Sequence, residues 1–504
     1  MLRSLLFVCA AVVASAALPE AILTEAGQLS GVAGKEVNVR VFKGIPYAAP
    51  PVGANRWKAP QPAAKWDGVR KADTFSATCS TGAAAGGKGK ASSASEDCLY
   101  LNVWTGAQAA SEKRPVIVWT YGGGFTGGSG SEPRYDGEAL AKKGAVVITY
   151  NYRLGTFGFF AHPELTKESG HNASGNYGMM DMLATLRWVQ KNIAAFGGDP
   201  NRVTSAGESA GAILVASMVG SPEGKGLFLR AIGQSGPFLG ASGDLTMGKM
   251  RTRVQAEEAG ARAAGTNSLA QLRAMSVEQI GQNLRGVEAG IIVDGWMVPE
   301  DHALTFSRGK QNKVDVLLGS NHDEGTFFGV GQGNGEQFQS QARQNYGELA
   351  TDFLKLYPAS TNEEAGASGL ARIRDEFGWY MRTWAQVQAK AGRKAYVYHF
   401  TRAAPGQTRG ATHTAELTYM FQNAPVTGWA DEDHKLADQM STYWVNFAAT
   451  GDPNGKGLPV WPVYDAKKND GQAMVFGNTT QFGPQIDVAR LKFFDRVYAE
   501  LRAR

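Results

Sequence analysis

The chain has 504 residues, of which 43% are hydrophobic and 19% are charged, and its net charge is +5. This composition is typical of a globular protein with a large core, and scattered lysines and arginines give no support for nucleic-acid binding. The 63 glycines occur in short turns without a periodic repeat, which excludes a collagen-like structure and favours many tight corners between strands and helices.

The first sixteen residues predict a cleaved signal peptide. Arg3 supplies a positive charge, Leu5 to Val13 are apolar, and Ala14-Ser15-Ala16 is a small-x-small cleavage site. The apolar stretch is too short to span a bilayer and nothing comparable follows, so we expect no membrane anchor. We therefore predict a signal peptide at 1–16 and a single domain at 17–504, in a secreted or periplasmic protein. The oligomeric state stays open.

Two cysteines, Cys79 and Cys98, remain after removal of this segment. An even pair in an exported chain predicts one disulfide, which closes a loop rich in glycine, alanine and serine. The alternative is a pair of free buried thiols.

Val37, Val39 and Val41 alternate with polar residues and predict a half-exposed antiparallel strand. The proline-rich stretch from Ile45 to Pro51 is incompatible with a helix or a central strand. Continuous apolar segments then predict strands buried on both faces of a parallel sheet, at 116–119, 146–149, 314–318 and 396–400.

Between these strands, apolar residues recur at helical spacing from Met179 to Phe196. Alternation of strands and helices indicates an α/β fold with a large, mainly parallel sheet. Two more polar segments, 240–285 and 335–390, have a helical pattern, and we expect them above the sheet as insertions that wall a pocket.

The sharpest local motif is Gly207-Glu208-Ser209-Ala210-Gly211. It follows a strand-like segment at 202–206 and opens a helix of small and apolar residues at 210–219. A serine at such a corner is exposed on a strained turn, and flanking glycines allow close approach of strand and helix. Ser209 is therefore the predicted nucleophile.

A second glycine-rich motif, Tyr121-Gly122-Gly123-Gly124-Phe125, follows the buried strand that ends near Thr120. The amides of Gly123 and Gly124, together with that of Ala210, are predicted to form an oxyanion hole. A flexible loop and a phosphate-binding loop are the alternatives.

Several further motifs make the chain resemble the type-B carboxylesterases, relatives of the cholinesterases, over nearly all of 17–504. Besides the two glycine-rich motifs, the resemblance rests on Gly44-Ile45-Pro46-Tyr47-Ala48, Glu96-Asp97-Cys98-Leu99-Tyr100-Leu101-Asn102-Val103, Asn151-Tyr152-Arg153-Leu154-Gly155, Phe196-Gly197-Gly198-Asp199-Pro200, Gln234-Ser235-Gly236 and Gly451-Asp452-Pro453-Asn454. It implies an α/β-hydrolase fold in which helical insertions wall the active-site gorge, and a serine carboxylesterase activity through an acyl-enzyme.

The resemblance also implies the partners of Ser209. The family's acid lies in an Asn-x-Asp-Glu-Gly turn, which makes it Glu324 here, and its histidine precedes an x-x-Glu segment, which makes it His413. His322 and Asp323 are expected to be neighbours only. Glu208, Ser235 and Glu416 match supporting positions of the family, where a purely structural role is the alternative. No metal or cofactor is implied.

The sequence carries fewer signals for the residues that select the substrate. Cholinesterases bind a quaternary ammonium on a tryptophan of the first disulfide loop, whereas the loop from Ser80 to Asp97 has no aromatic residue, which argues against choline esters. Asp181-Met182 replaces an Asp-Gln pair of the family, and we expect this to change only local packing. The predicted partner is a small-molecule alkyl or aryl ester of small or medium size. The candidate pocket residues, which are alternatively plain core, are Trp296, Phe327, Phe328 and Phe421.

Two other functions fit the same motifs. A hydrolase of amides, lactones or carbamates would use the same acyl-enzyme chemistry. A non-catalytic binding protein of this fold is disfavoured, because such relatives usually lose a catalytic residue and this chain keeps Ser209, Glu324 and His413.

Overall fold

A computed structural model describes residues 17–81, 94–236, 250–331, 333–423 and 428–503. The predicted signal peptide lies outside the described residues. The strands are β1 (Ala21–Leu23), β2 (Gln28–Ser30), β3 (Val32–Ala33), β4 (Arg40–Pro46), β5 (Val69–Lys71), β6 (Thr78–Cys79), β7 (Ala94–Ser95), β8 (Tyr100–Thr105), β9 (Arg114–Thr120), β10 (Val146–Tyr150), β11 (Gly198–Glu208), β12 (Arg230–Gln234), β13 (Arg251–Thr252), β14 (Ile292–Val293), β15 (Asp315–Asn321), β16 (Ala395–Phe400), β17 (Gln472–Phe476) and β18 (Thr480–Pro484).

The helices alternate with these strands along most of the chain. They are α1 (Glu138–Lys142), α2 (Gly155–Phe159), α3 (Pro163–Glu168), α4 (Tyr177–Asn192), α5 (Ala210–Gly220), α6 (Arg253–Ala264), α7 (Leu269–Ala274), α8 (Val277–Asn283), α9 (His302–Ser307), α10 (Glu324–Phe327), α11 (Gly335–Tyr346), α12 (Ala350–Leu356), α13 (Asn362–Lys390), α14 (Leu417–Met420), α15 (Asp431–Thr450) and α16 (Val488–Ala503). None of the described helices is both long and apolar enough to cross a membrane.

An eleven-stranded sheet forms the centre of the molecule, in the order β18-β17-β16-β15-β12-β11-β9-β10-β8-β4-β3. Neighbouring strands are parallel from β17 to β10, and the pairings beyond them at both ends are antiparallel. The parallel strands are buried on both faces because helices cover them, which is why their sequences are continuously apolar. The predicted α/β-hydrolase fold is confirmed.

The antiparallel edge differs from its prediction in one detail. Val37 is 82% exposed and precedes β4, which begins only at Arg40, so the predicted strand starts too early. Ile45 and Pro46 form the end of β4, where β8 is their only partner among the described strands, so the expectation that this stretch forms no central strand holds. The register of β4 against β8 shifts between Phe42 and Ile45, and such an irregularity is where a sheet tolerates proline.

The two polar segments are helical, but only partly placed as expected. In the first, residues 240–249 lie outside the described residues, and α6 packs closely on the backbone of Ala161 through Gly260. In the second, α13 packs against β15 and β16, and its Trp384 contacts the backbone of Gly233 in β12. The prediction that 335–390 lies above the sheet is therefore wrong for the part of α13 that covers β15 and β16, whereas the ring of Phe377 in the same helix lies 6.0 Å from that of His413.

The predicted disulfide between Cys79 and Cys98 is present. Next to it, the guanidinium of Arg56 donates two hydrogen bonds of 2.7 Å to the Glu96 carboxylate and a third to the Leu272 carbonyl oxygen in α7. The disulfide and this buried ion pair together hold the ends of the loop between Cys79 and Cys98 against α7 in the first helical insertion.

We expect the double substitution Cys79→Ser, Cys98→Ser to lower the free energy of unfolding by about 3 kcal/mol, because opening a loop of this length restores chain entropy to the unfolded state. The midpoint of urea denaturation measures the change, and the double variant avoids a stray free thiol. An unchanged midpoint would contradict the prediction, and the parent protein in reducing buffer serves as the matched control.

Candidate active site

Ser209 lies at the corner between β11 and α5 with φ 54° and ψ −125°, a conformation that strains any residue with a side chain. Its N–H donates to the Gln234 carbonyl oxygen at 2.9 Å, which ties the corner to β12. A Cβ atom on Gly211 would lie 2.0 Å from the carbonyl oxygen of Thr120, so only glycine permits this approach. The predicted strand–turn–helix context of the motif is present.

The second glycine-rich loop packs directly on this corner. A Cβ atom on Gly122 would lie 2.9 Å from Cβ of Ser209, and Gly123 and Gly124 have φ values of +111° and +60°. Within the described parts of the chain, the amides of Gly123, Gly124 and Ala210 donate no hydrogen bond. The amide of Ala210 therefore adjoins Ser209 in sequence, and those of Gly123 and Gly124 belong to the loop that packs on Ser209 through Gly122.

His413 and Glu324 form a buried pair beside the corner. The Nδ1 atom of His413 lies 2.6 Å from Oε2 of Glu324, and both side chains are almost fully buried. The other oxygen of Glu324 accepts hydrogen bonds from Ser235 Oγ at 2.6 Å and from the Asn321 N–H at 2.8 Å. These contacts fix the carboxylate, which in turn orients the imidazole.

The second imidazole nitrogen faces Glu208. Nε2 of His413 lies 3.1 Å from Oε1 of Glu208, outside hydrogen-bond geometry. No hydrogen bond joins His413 to Ser209 Oγ in the described residues, so Nε2 keeps its capacity to accept or donate a proton. Such contacts are often loose in a site without substrate.

The pKa values of this cluster reflect buried charges. Burial disfavours a charged imidazole, but the carboxylates of Glu208 and Glu324 outweigh it and raise the pKa of His413 to about 9. Burial also raises the pKa of Glu208 to about 8, against the attraction of His413. The pKa of Glu416 is raised by burial and by Glu324. The protonation state of this imidazole therefore depends on the buried carboxyl groups around it.

The residues around Glu324 hold the histidine loop. The Asp323 N–H donates to the Ala411 carbonyl oxygen at 3.0 Å, and the Asp323 carboxylate accepts from the Ala411 N–H at 2.8 Å. His322 Nδ1 instead lies 3.2 Å from His399 Nε2. As expected from the sequence, neither side chain contacts the His413 imidazole.

Glu416 belongs to a further buried network, which the sequence only partly revealed. Its carboxylate accepts hydrogen bonds from Gln234 Nε2 at 3.0 Å and from Asn321 Nδ2, and Trp444 Nε1 donates to Gln234 Oε1 at 3.0 Å. In the sequence, Asn321 and Gln234 are recognisable only as members of family motifs. No motif in the sequence indicates Trp444, because it reaches Gln234 from α15, a helix far along the chain.

The candidate pocket aromatics divide into two groups. Phe327 and Phe328 are 52% and 42% exposed, and their ring centres lie 5.1 and 5.4 Å from that of His413. Trp296 instead lines a separate surface cavity with Met180 and Trp188, and Phe421 is core. Phe421 therefore fits the plain-core alternative and Trp296 lines a different cavity, because aromatic character alone does not distinguish a pocket wall from a packed interior.

The Asp181 carboxylate forms a buried ion pair with Arg153 at 2.7 Å and accepts the Arg153 N–H at 2.9 Å. Met182, the residue that departs from the family pair, is fully buried in the core, and its effect on local packing stays a prediction. In the described ranges, no cluster of three or more His, Cys, Asp or Glu side chains could hold a metal ion.

Comparison with known proteins places this site in a family. The model of the carboxylesterase family matches residues 19–494. The chain belongs to the carboxylesterase family. It is 36% identical over 483 residues to the fumonisin B1 esterase of Sphingopyxis macrogoltabida, with 93% of this chain and 88% of that protein covered. It is 34% identical over 481 residues to carboxylesterase 5A of Canis lupus familiaris, with coverages of 87% and 82%.

Solved structures agree with the sequence comparison. The carboxylesterase EST55 of Geobacillus stearothermophilus superimposes with a TM-score of 0.81 at 32% identity, covering 94% of this chain and 100% of that one. PNB esterase gives a TM-score of 0.79 at 29% identity, with coverages of 94% and 99%. The family match and the esterase relatives together identify this protein as a carboxylic-ester hydrolase.

Glu208→Gln is expected to move the acid limb of the pH–rate profile to lower pH. A glutamine cannot carry the negative charge that raises the pKa of His413, so the imidazole becomes neutral, and able to act as a base, at a lower pH. The shift of kcat/KM for a p-nitrophenyl ester should be about one pH unit or more.

The control for this prediction is Glu223→Gln, which removes a carboxylate that pairs with Arg187 away from the site. Its profile should match the parent. An acid limb of Glu208→Gln that coincides with the parent would show that Glu208 carries no charge while His413 titrates.

Proposed function

We propose that this carboxylesterase hydrolyses small to medium alkyl or aryl esters through an acyl-enzyme on Ser209. The observation that carries the proposal is the buried His413–Glu324 pair at 2.6 Å, placed beside a strained serine corner. A nucleophile, a base and an orienting acid are the groups that acyl transfer needs.

In the first half-reaction, Ser209 Oγ attacks the ester carbonyl carbon while Nε2 of His413 accepts the hydroxyl proton. The tetrahedral intermediate collapses when His413 returns this proton to the leaving alkoxide, and the alcohol departs. In the second half, water attacks the acyl carbon and gives its proton to His413. Collapse then releases the carboxylic acid and restores Ser209 Oγ–H.

Glu324 has an electrostatic and a geometric part in these steps. Its Oε2 accepts from Nδ1 of His413, which fixes the tautomer with an unprotonated Nε2 and stabilises the imidazolium formed during attack. Ser235 and the Asn321 N–H occupy the other oxygen. The carboxylate therefore stays in place while the charge on the imidazole changes.

The amides of Gly123, Gly124 and Ala210 are proposed to hold the oxyanion. Among the described residues none accepts a hydrogen bond from these amides, which supports the assignment together with the packing of Gly122 on Ser209. Backbone donors fixed before the reaction stabilise the developing negative charge without reorganisation.

Glu208 and Glu416 are proposed to set the charge around His413 rather than to react. Both carboxyl groups raise the pKa of the imidazole, and neither contacts Nδ1. Removal of either charge would therefore let His413 become neutral, and able to act as a base, at a lower pH.

The exposed rings of Phe327 and Phe328 support an apolar ester as substrate. They lie against His413, so the acyl or alcohol group of a bound ester would meet them. The absence of aromatic residues between Ser80 and Asp97 disfavours a quaternary ammonium alcohol.

We also propose that the protein is exported. The disulfide between Cys79 and Cys98 supports an oxidising compartment, which agrees with the apolar N-terminal segment of the sequence.

Ser209→Ala should lower kcat for p-nitrophenyl butyrate at least about 1000-fold, because no other group supplies the acyl acceptor. A fluorophosphonate probe should label the parent and fail to label this variant. Ser217→Ala, which removes a buried hydroxyl bonded to the Ile213 carbonyl oxygen on the same helix, should keep parental activity.

Equal turnover by Ser209→Ala and the parent would remove Ser209 from the reaction. A panel of alkyl esters, aryl esters, anilides, lactones and carbamates then defines the substrate range. Fumonisin B1 belongs in it because of the 36% identical relative. Faster cleavage of anilides, lactones or carbamates than of esters would overturn the proposed substrate class.

A further inference from the structure

We propose that Asn321 is a positioning residue whose side-chain amide joins the turn that carries Glu324 to the loop that carries His413. The inference rests on the function proposed above. The residue is fully buried at the end of β15, beside Phe400 of β16 in the sheet register. Its backbone is therefore fixed by the central sheet before its side chain makes any contact.

The first link joins Asn321 to the acid. Its N–H donates to Oε1 of Glu324 at 2.8 Å, three residues further along the chain. This bond depends on the backbone only, so any residue other than proline at position 321 could make it. It does not explain why an asparagine stands there.

The second link uses the side chain. Nδ2 of Asn321 donates to the Thr412 carbonyl oxygen at 2.9 Å and also to Oε2 of Glu416. Thr412 immediately precedes His413, and Glu416 follows it by three residues. Because one partner is a carbonyl oxygen and the other a carboxylate oxygen, both require a donor, and the two N–H bonds of one amide match them.

The position of His413 depends on these two hydrogen bonds from the Asn321 amide. It lies between β16 and α14, outside regular secondary structure, and the next residue, Thr414, has φ 73°. On the side of Thr412, the contacts of Asp323 with Ala411 hold the loop, but they end two residues before His413. The Asn321 amide is bonded to the chain on both sides of the imidazole.

The same amide also affects the charge near His413. The carboxyl groups that face the imidazole are Glu208 from β11, Glu324 from α10 and Glu416 from its own loop. Glu416 in turn faces Gln234 of β12 and Tyr398 of β16. Burial raises the pKa of Glu416, and the Asn321 donor opposes this rise. Without that donor Glu416 would hold its proton more tightly, and His413 would lose a nearby negative charge.

Asn321→Leu tests the role of the side-chain amide, because leucine keeps the volume and the backbone N–H but removes both side-chain hydrogen bonds. With p-nitrophenyl butyrate, kcat should fall about 10- to 100-fold and KM should stay within about threefold, since a displaced base impairs the chemical step. The acid limb of the pH–rate profile should move to lower pH, because a protonated Glu416 no longer raises the pKa of His413.

Asn321→Asp is the second variant, of the same shape, in case leucine prevents folding. It replaces the donor by a carboxyl group that shares a proton with Glu416, so the pair keeps a negative charge. We expect a loss of kcat again, but no movement of the acid limb to lower pH. The two variants therefore differ in the position of the acid limb. A general loss of stability would not produce such a difference between them.

The matched control is Asn176→Leu. Asn176 is equally buried and also joins two segments, since its amide donates to and accepts from the backbone of Ile292 at 2.9 and 3.0 Å. It should lose stability but keep the parental kcat and pH profile.

Parental kcat in Asn321→Leu, an unmoved acid limb in that variant, or an equal loss of kcat in Asn176→Leu would each overturn the proposal. The parent and Ser209→Ala are measured in the same series. An inactive parent, or an active Ser209→Ala, would instead overturn the proposed function.

Discussion

The close approach of α5 to the edge of the sheet is the constraint on which the site depends. Gly211 lies so near the Thr120 carbonyl oxygen that no side chain fits, and Ser209 takes a backbone conformation that costs energy. The surrounding sheet and helix must supply that energy. This conformation brings Ser209 and the start of α5 beside the glycine loop after β9. In that loop the amides of Gly123 and Gly124 donate no hydrogen bond within the described residues.

Parallel strand order brings the other components to the same place. β9, β11, β12, β15 and β16 are neighbours in one sheet, so the segments that follow them meet at one edge. Ser209 follows β11, Glu324 follows β15, and His413 belongs to the connection after β16. This is the usual position of ligand sites in open α/β sheets. Regular strands fix the first two residues, whereas the third needs hydrogen bonds from Asn321 and Asp323.

Burial gives the site its electrostatic character. Glu208, Glu324 and Glu416 surround one imidazole, and little water is available to screen them. Burial and the neighbouring carboxylates raise the pKa of Glu208 and of Glu416, while charged His413 opposes the rise for Glu208. Hydrogen bonds from Ser235, Asn321 and Gln234 compensate two of these carboxylates. Glu208 has no hydrogen-bond partner for Oε1 in the described residues, which fits its high pKa.

The sequence by itself determined the fold class, the disulfide and the serine corner. Buried parallel strands are continuously apolar, two cysteines leave one pairing, and the glycines around Ser209 reflect a local steric need. The roles of Glu324 and His413 came only from the family resemblance, because acid and base lie far apart in the chain. Their pairing at 2.6 Å was not visible in any local pattern.

Only the tertiary structure decided which aromatic rings reach the site, that α13 covers the sheet, and that the Asn321 side chain bonds to both sides of His413. Each depends on contacts between segments tens to hundreds of residues apart. An apolar pattern reports that a residue is buried, but not which neighbour it meets. Phe327 and Phe421 look alike in the sequence, and packing alone places one beside His413 and the other in the core.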